Sequence, residues 1–322
     1  MDSNAKVAII GAGLMGHGLA LVHAIAGHAV KMTDISESQL ATGMELIGSA
    51  LDTLVAGGSV AKPETAAILA RITPVGTLAE AVADADFIVE AVVENREVKT
   101  EVYAELESAA PATAIIASNT SYLDAFPLAP ASLQSRFIIT HWYTPPYIID
   151  LVDIAGGPET DPKYLAAVRD HYAAIGKKPV LFERFVPGYV ANRLQAAMTL
   201  EITRLLDEGY ADAEAIDTSI KYGLALRMAT MGALMKADFT GLDMSRRALA
   251  NKMYIPPEVK GKSETLEKLI ADGKQGVMNG SGYFDYGSMK PEELFHNRDV
   301  GLLKLKAAVE KVEEEQPLRP QG

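Results

Sequence analysis

The chain contains no cysteine, which excludes disulfides and any thiolate nucleophile or thiolate metal ligand. Positive charge is scarce as well: 30 Lys and Arg stand against 42 Asp and Glu, a formal net charge of −12. Nucleic acids and anionic membrane surfaces are bound by clustered Lys and Arg, so neither is an expected partner. No apolar run reaches membrane-spanning length before a charge interrupts it, and no transmembrane helix is expected. No basic, apolar leader precedes the first strand-like run, so the expected compartment is the cytoplasm. Internal repeats and low-complexity tracts are also lacking.

What is present is an ordinary soluble composition, 48% hydrophobic and 22% charged, in 322 residues. That length is natural for two domains. The first apolar run, Lys6–Ile10 (KVAII), leads at once into GAGLMG, residues Gly11, Ala12, Gly13, Leu14, Met15 and Gly16, and then into an apolar helical stretch. Strand, glycine turn and helix opening form the setting in which GxGxxG signals a dinucleotide site. Gly11 allows the tight turn, Gly13 lets the backbone approach a pyrophosphate, and Gly16 lets helix and strand pack closely. The helix N-terminus then offers free N–H groups to phosphate. A second run, Ala29–Thr33 (AVKMT), ends on Asp34. An acid about 20 residues beyond the glycines accepts hydrogen bonds from ribose hydroxyls and repels a 2′-phosphate, which favours NAD over NADP.

Further runs continue the pattern. Asp86–Val93 (DFIVEAVV) ends before Glu94, Ala114–Ala117 (AIIA) before Ser118–Ser121 (SNTS), and Phe137–Thr140 before His141, with Leu151–Ile154 following. Near-continuous apolar strands alternating with helical segments such as Glu97–Ala109 predict a doubly wound α/β sheet. Ligands collect at the carboxyl ends of such strands, so Glu94, Ser121 and His141 are expected to face the cofactor's crevice. His141 also opens a stretch that returns through Thr-Pro-Pro to Asp153, giving a candidate proton-transfer pair. The spacing of His17, His23, His28, His171 and His296 suggests no metal site.

GAGLMG, Asp34, VVENREVK (Val92–Lys99), SNTS, RFIITHWYTPP and PGYVANRLQ (Pro187–Gln195) together resemble the L-3-hydroxyacyl-CoA dehydrogenase family, in its order and over nearly the whole chain. The resemblance implies a Rossmann-like N-terminal domain, an all-helical C-terminal domain and a homodimer formed through the latter. It implies that His141 is the general base for alcohol oxidation, supported by the acid twelve residues on. Ser121 and Asn192 are then expected to contact the substrate oxygen, and Glu94 and Lys99 to hold the nicotinamide half of the cofactor.

Three positions depart from the family. Its glutamate is Asp153 here, shorter by ~1.5 Å. Its cofactor-contacting asparagine is Thr144, and a lysine before its C-terminal glycine pair is Met278. Acyl-CoA members carry lysines after the second strand; here no Lys or Arg occurs between Lys31 and Lys62, while Glu37, Glu45 and Asp52 do. Such a surface offers nothing to anionic coenzyme A. Arg227, in GLALR, sits as arginine does in the family's non-CoA branch of carnitine and L-gulonate dehydrogenases. A guanidinium there suits a substrate carboxylate.

The expected organisation is therefore an NAD-binding domain over 1–186, a helical substrate and dimerisation domain over 187–312, and a disordered tail over 313–322. Helices are expected at Tyr189–Glu208, Ala211–Lys221 and Met228–Ser245. The expected activity is NAD-dependent oxidation of a 3-hydroxy acid, or a related secondary alcohol, not carried on CoA. The alternatives are a 3-hydroxyacyl-CoA dehydrogenase and an NAD-binding structural or regulatory protein whose catalytic pair has decayed.

Overall fold

A computed structural model describes residues 5–251 and 253–319. The chain divides into two units, Met1–Tyr189 and Val190–Gly322. The first is built on eight strands: β1 (Lys6–Ile10), β2 (Ala29–Thr33), β3 (Ile72–Pro74), β4 (Phe87–Glu90), β5 (Ile115–Ser118), β6 (Phe137–Trp142), β7 (Leu151–Gly156) and β8 (Lys178–Phe182). They form one sheet in the order β3-β2-β1-β4-β5-β6-β7-β8. Strands β1 to β6 run parallel, β7 turns antiparallel against β6, and β8 follows β7 in parallel. Chain order reverses between β1 and β4, so the crevice at their carboxyl ends is the switch point where such sheets bind ligands.

Every residue of β4, β5 and β6 is buried. That is why these strands read as continuous apolar runs. Three of the helices that flank the sheet start where short polar residues take an orphan amide. Ser36 accepts from Gln39 N–H to open Glu37–Ala56, Asn95 from Val98 N–H to open Arg96–Ala109, and Asp161 from Lys163 N–H to open Pro162–Ala174.

The run Asp86–Val93 is shorter as a strand than its composition predicts. It stops at Glu90, whose Oε1 accepts the Val92 amide at 2.9 Å and turns the chain out of the sheet. Two edge strands, β3 and β8, carry no clear signal in the sequence. One has three residues and ends on a proline, and the other is partly exposed throughout, so neither shows an apolar run.

The second unit is helical, with helices at Ala191–Asp207, Ala213–Thr218, Leu226–Thr240, Leu242–Ala250, Glu264–Ala271 and Pro291–Glu315. The single helix expected over Met228–Ser245 is interrupted twice, first at Gly232, where a kink at φ +67° breaks Leu226–Thr240. Gly241 makes the second break at φ +88°, a left-handed conformation that only glycine adopts at little cost. Of the tail expected to be disordered over 313–322, the first residues are helical, since Pro291–Glu315 runs to Glu315; residues 320–322 lie outside the described set. The unit boundary falls after Tyr189, three residues beyond the expected 186. No helix among the described residues is long and apolar enough to cross a membrane.

Candidate active site

The glycine loop after β1 is shaped by close approaches. Gly11 adopts φ +100°, and a Cβ there would lie 2.7 Å from the Ala91 carbonyl oxygen. At Gly16 a Cβ would collide with the Gly11 carbonyl oxygen. Gly13 differs: a Cβ would meet no protein atom within 4 Å. Protein packing does not require glycine at that point, but a pyrophosphate resting on the backbone does. The helix Gly16–Ile25 has no side-chain cap and no acid in its first turn, so its amino end is left for an anion.

Asp34 closes the loop from the other side. Its Oδ2 accepts the Ala12 amide at 2.8 Å and its Oδ1 the Ser36 amide at 3.0 Å. Each carboxylate oxygen can accept more than one hydrogen bond, which keeps Asp34 suited to ribose hydroxyls. Gly11, Gly13, Asp34, Gln39, Thr77 and Val93 help to line a cleft of about 610 Å³. These residues fit a dinucleotide.

Beyond β4, Glu94 gathers the loop that follows β5. Its Oε1 accepts from the amides of Ser121 (3.1 Å), Tyr122 (2.7 Å) and Leu123 (2.7 Å), and from the Thr120 hydroxyl (3.0 Å). Burial pushes this carboxyl up, but the four donors outweigh it and hold the group below its usual range. Glu94 and Ser121 are therefore brought together. Lys99 is placed differently from its expected contact with nicotinamide. Its Nζ lies 2.6 Å from Glu90 Oε1 and both side chains are fully buried. Glu90 Oε2 takes the hydroxyls of Tyr103 and Ser118, each at 2.6 Å. Lys99 thus braces the ends of β4 and β5 through Glu90.

His141 and Asp153 face each other directly in the β6–β7 register. Twelve residues that leave by one strand and return by its antiparallel neighbour put both side chains on one face. The two are almost fully buried, and Nδ1 of His141 lies 3.4 Å from Oδ2 of Asp153. Two tyrosines that sequence reasoning missed complete the group. The Tyr143 hydroxyl donates to the same Oδ2 at 2.6 Å, and its ring meets the imidazole edge to face at 4.6 Å. Tyr189 stacks on the imidazole at 4.7 Å and 16°. It holds φ +48°, a backbone conformation that costs a non-glycine residue about 1 kcal/mol or more, and its hydroxyl donates to the Thr120 carbonyl at 3.1 Å. Tyr189 therefore ties the imidazole to the loop that carries Ser121. The available signal was their spacing, two residues after the histidine and next to a glycine.

The turn after β6 reaches back to the glycine loop. Thr144 Oγ1 donates to Met15 Sδ at 3.1 Å, and Pro146 would collide with any side chain at Gly18. So β6 ends beside the nucleotide loop. In the second unit, Asn192 lies in the first turn of its helix and Arg227 is exposed, with Nε donating to the Gly223 carbonyl at 2.8 Å.

Histidine spacing gave no hint of a metal cluster, yet His23, His28 and His171 converge from three segments with ring nitrogens within 4.8 Å of one another. Their rings pack against one another, His28 and His171 at 5.0 Å and His23 and His28 at 5.8 Å between centroids. His23 and His171 stack at 5.5 Å and 12°.

Comparison with known proteins agrees with this geometry. Residues 6–185 match the model of the 3-hydroxyacyl-CoA dehydrogenase NAD binding domain and residues 188–286 that of the 3-hydroxyacyl-CoA dehydrogenase C-terminal domain. The chain is 30% identical over 313 residues to 5-formyl-3-hydroxy-2-methylpyridine 4-carboxylate 5-dehydrogenase of Mesorhizobium japonicum, covering 95% of this chain and 98% of that one. It is 34% identical to 3-hydroxybutyryl-CoA dehydrogenase of Bradyrhizobium diazoefficiens (89% and 97% covered) and 31% identical to L-carnitine dehydrogenase of Nocardiopsis dassonvillei (95% and 92%). Among solved structures, an NAD⁺-dependent pyridine-carboxylate dehydrogenase of the first kind superposes with TM-score 0.81 at 26% identity, covering 95% and 99% of the two chains. The chain belongs to the 3-hydroxyacyl-CoA dehydrogenase family of NAD-dependent enzymes that act on CH–OH groups.

Proposed function

We propose that the protein oxidises a small free 3-hydroxy acid, or a related secondary alcohol, without a coenzyme A carrier. The observation that carries the reaction is the buried His141–Asp153 pair, 3.4 Å apart on facing strands and one turn from the nucleotide loop. NAD, when bound, supplies the hydride acceptor. His141 takes the hydroxyl proton, a role suited to imidazole near neutral pH. Asp153 orients the ring and balances the imidazolium that forms. Ser121 and Asn192 hold the alkoxide-like oxygen. Arg227, which spends one of its five donors on its own helix, offers the rest to a substrate carboxylate.

The helix Glu37–Ala56 supports a substrate free of CoA. It carries Glu37, Glu45 and Asp52 and no Lys or Arg, which disfavours a polyphosphate carrier. Two of the similar proteins are named for a pyridine carboxylate and for carnitine, and a third for a CoA thioester.

The second unit supports a homodimer. Leu234, Leu242, Leu249 and Met253 are 65–90% exposed within it, while few of its apolar side chains are buried. Helices with this much uncovered apolar surface pair with another copy. Light scattering on the purified protein should give twice the 34.4 kDa of one chain.

The decisive assay follows NADH formation across free hydroxy acids and 3-hydroxybutyryl-CoA. A higher kcat/KM for a free acid is expected; turnover confined to the thioester would overturn the substrate assignment. In His141→Gln, turnover should fall by about 10²–10⁴-fold with NAD binding retained. Retained turnover would remove His141 as the base. NAD binding without oxidation of any hydroxy compound would favour a structural or regulatory role.

A further inference from the structure

Asp153 is the acid of the candidate pair, yet its shortest contact is not with the histidine. Oδ2 receives the Tyr143 hydroxyl at 2.6 Å and stands 3.4 Å from His141 Nδ1. A 2.6 Å O–H···O⁻ contact is a strong charge-assisted bond, whereas 3.4 Å lies at the weak end for nitrogen and oxygen. The tyrosine lies two residues after His141, one beyond the end of β6, and its ring packs on the imidazole at 4.6 Å as its hydroxyl meets the carboxylate.

Its phenol is also kept protonated. Burial raises it, and the hydrogen bond to Asp153 and that carboxylate's charge raise it further. Tyr143 is thus a permanent donor to Asp153. The other ionisable groups around the pair come from different elements: Glu94 after β4, Tyr122 and Asp124 after β5, and Tyr189 at the end of the unit.

We propose that Tyr143 is a positioning residue that anchors the short Asp153 side chain and divides its charge with His141. This rests on the assignment of His141 as base. The aspartate lacks the reach to press against the imidazole, and the Tyr143 hydroxyl fixes one oxygen in line with Nδ1. The same bond draws on that oxygen's charge and limits how far Asp153 can stabilise an imidazolium. Tyr143 therefore both orients the carboxylate and restrains it.

The test combines Tyr143→Phe, Asp153→Glu and the double variant. Tyr143→Phe removes only the hydroxyl and keeps the ring that packs on His141. Asp153 is then left to His141 alone, so the acid limb of kcat/KM should move to higher pH, by about half a unit or more. At neutral pH kcat should fall about tenfold with KM little changed, as for an interaction used in the transition state. In the double variant the longer glutamate reaches Nδ1 without an anchor and should recover most of kcat, a coupling that additive effects cannot give.

Emission of the single tryptophan, Trp142, and NAD affinity should be unchanged in Tyr143→Phe, which separates loss of positioning from loss of fold. An acid limb that stays in place, or no rescue by glutamate, would overturn the role given to Tyr143. If His141→Gln retains turnover, the base assignment fails instead, and the two failures are distinguishable.

Discussion

Lys99 and Glu90 form an ion pair of 2.6 Å with neither side chain exposed to solvent. Glu90 fills its remaining acceptor capacity with Tyr103, Ser118 and the Val92 amide, so the pair belongs to a fully partnered network at the ends of β4 and β5. Breaking a buried pair by removing one member leaves the other charge uncompensated, at a cost of about 3–5 kcal/mol. Lys99→Met should therefore lower the denaturant midpoint strongly. If Lys99 instead met the nicotinamide directly, the variant would lose NAD affinity with stability nearly intact. Chemical unfolding and a fluorescence titration with NAD separate these outcomes.

Asp34 holds the glycine loop through the Ala12 amide at 2.8 Å and lines the nucleotide cleft. Asp34→Ala removes the acceptor for ribose hydroxyls and the pin on the loop together. Hydrogen bonds to a charged group are worth roughly 1.5–3 kcal/mol each, so NAD affinity should weaken by about tenfold or more. Asp34→Asn keeps the acceptor for Ala12 but not the negative charge, and it should also lessen discrimination against NADP. Dissociation constants for the two cofactors check both statements.

Arg227 lies on the exposed face of its helix, with only Nε committed to the Gly223 carbonyl. If the guanidinium binds a substrate carboxylate, Arg227→Ala should raise KM for an acidic substrate about tenfold or more, with a smaller effect on kcat. Arg227→Lys should recover only part of this, because an ammonium lacks the bidentate fork. Kinetics unchanged in Arg227→Ala would remove the residue from the site.

Burial explains what the sequence made visible. Strands covered on both faces are largely apolar, which is why β1, β2, β4, β5 and β6 were legible; β3 and β8, at the two edges, were not. The glycine fingerprint was readable because two of its glycines are forced by backbone contacts and the third is left open. His141 and Asp153 were recognisable as a pair, since an antiparallel return places them opposite each other. Tyr143 and Tyr189 were not, because an aromatic residue beside a strand reads as core until its hydroxyl is placed. Lys99 was read from its motif as a cofactor contact, whereas its burial beside Glu90 depends on how β4 and the next helix pack, which no motif shows. Gly232 and Gly241 were passed over within an apolar helical run, where only their positive φ reveals the breaks.

The cluster of His23, His28 and His171 gives the fold a dependence on pH that no single histidine announced. All three are buried. Burial lowers the basicity of each, and His28 and His171 lower that of His23 further, as does Lys177. His171 is brought to about 4. A base with a folded pKa below its unfolded value of about 6.5 takes up its proton more readily when unfolded. Stability is then full above pH 6.5 and declines as pH falls toward 4, where the folded form titrates too. For His171 alone the loss is on the order of 3 kcal/mol across that window. The carboxylates held low, Asp84 and Asp207 at about 2, lose their contribution only below about pH 4, so the histidines govern the upper range. Urea unfolding should therefore give a markedly lower free energy at pH 5 than at pH 7.5. His171→Phe should flatten that slope; a slope unchanged in the variant would assign it to other groups.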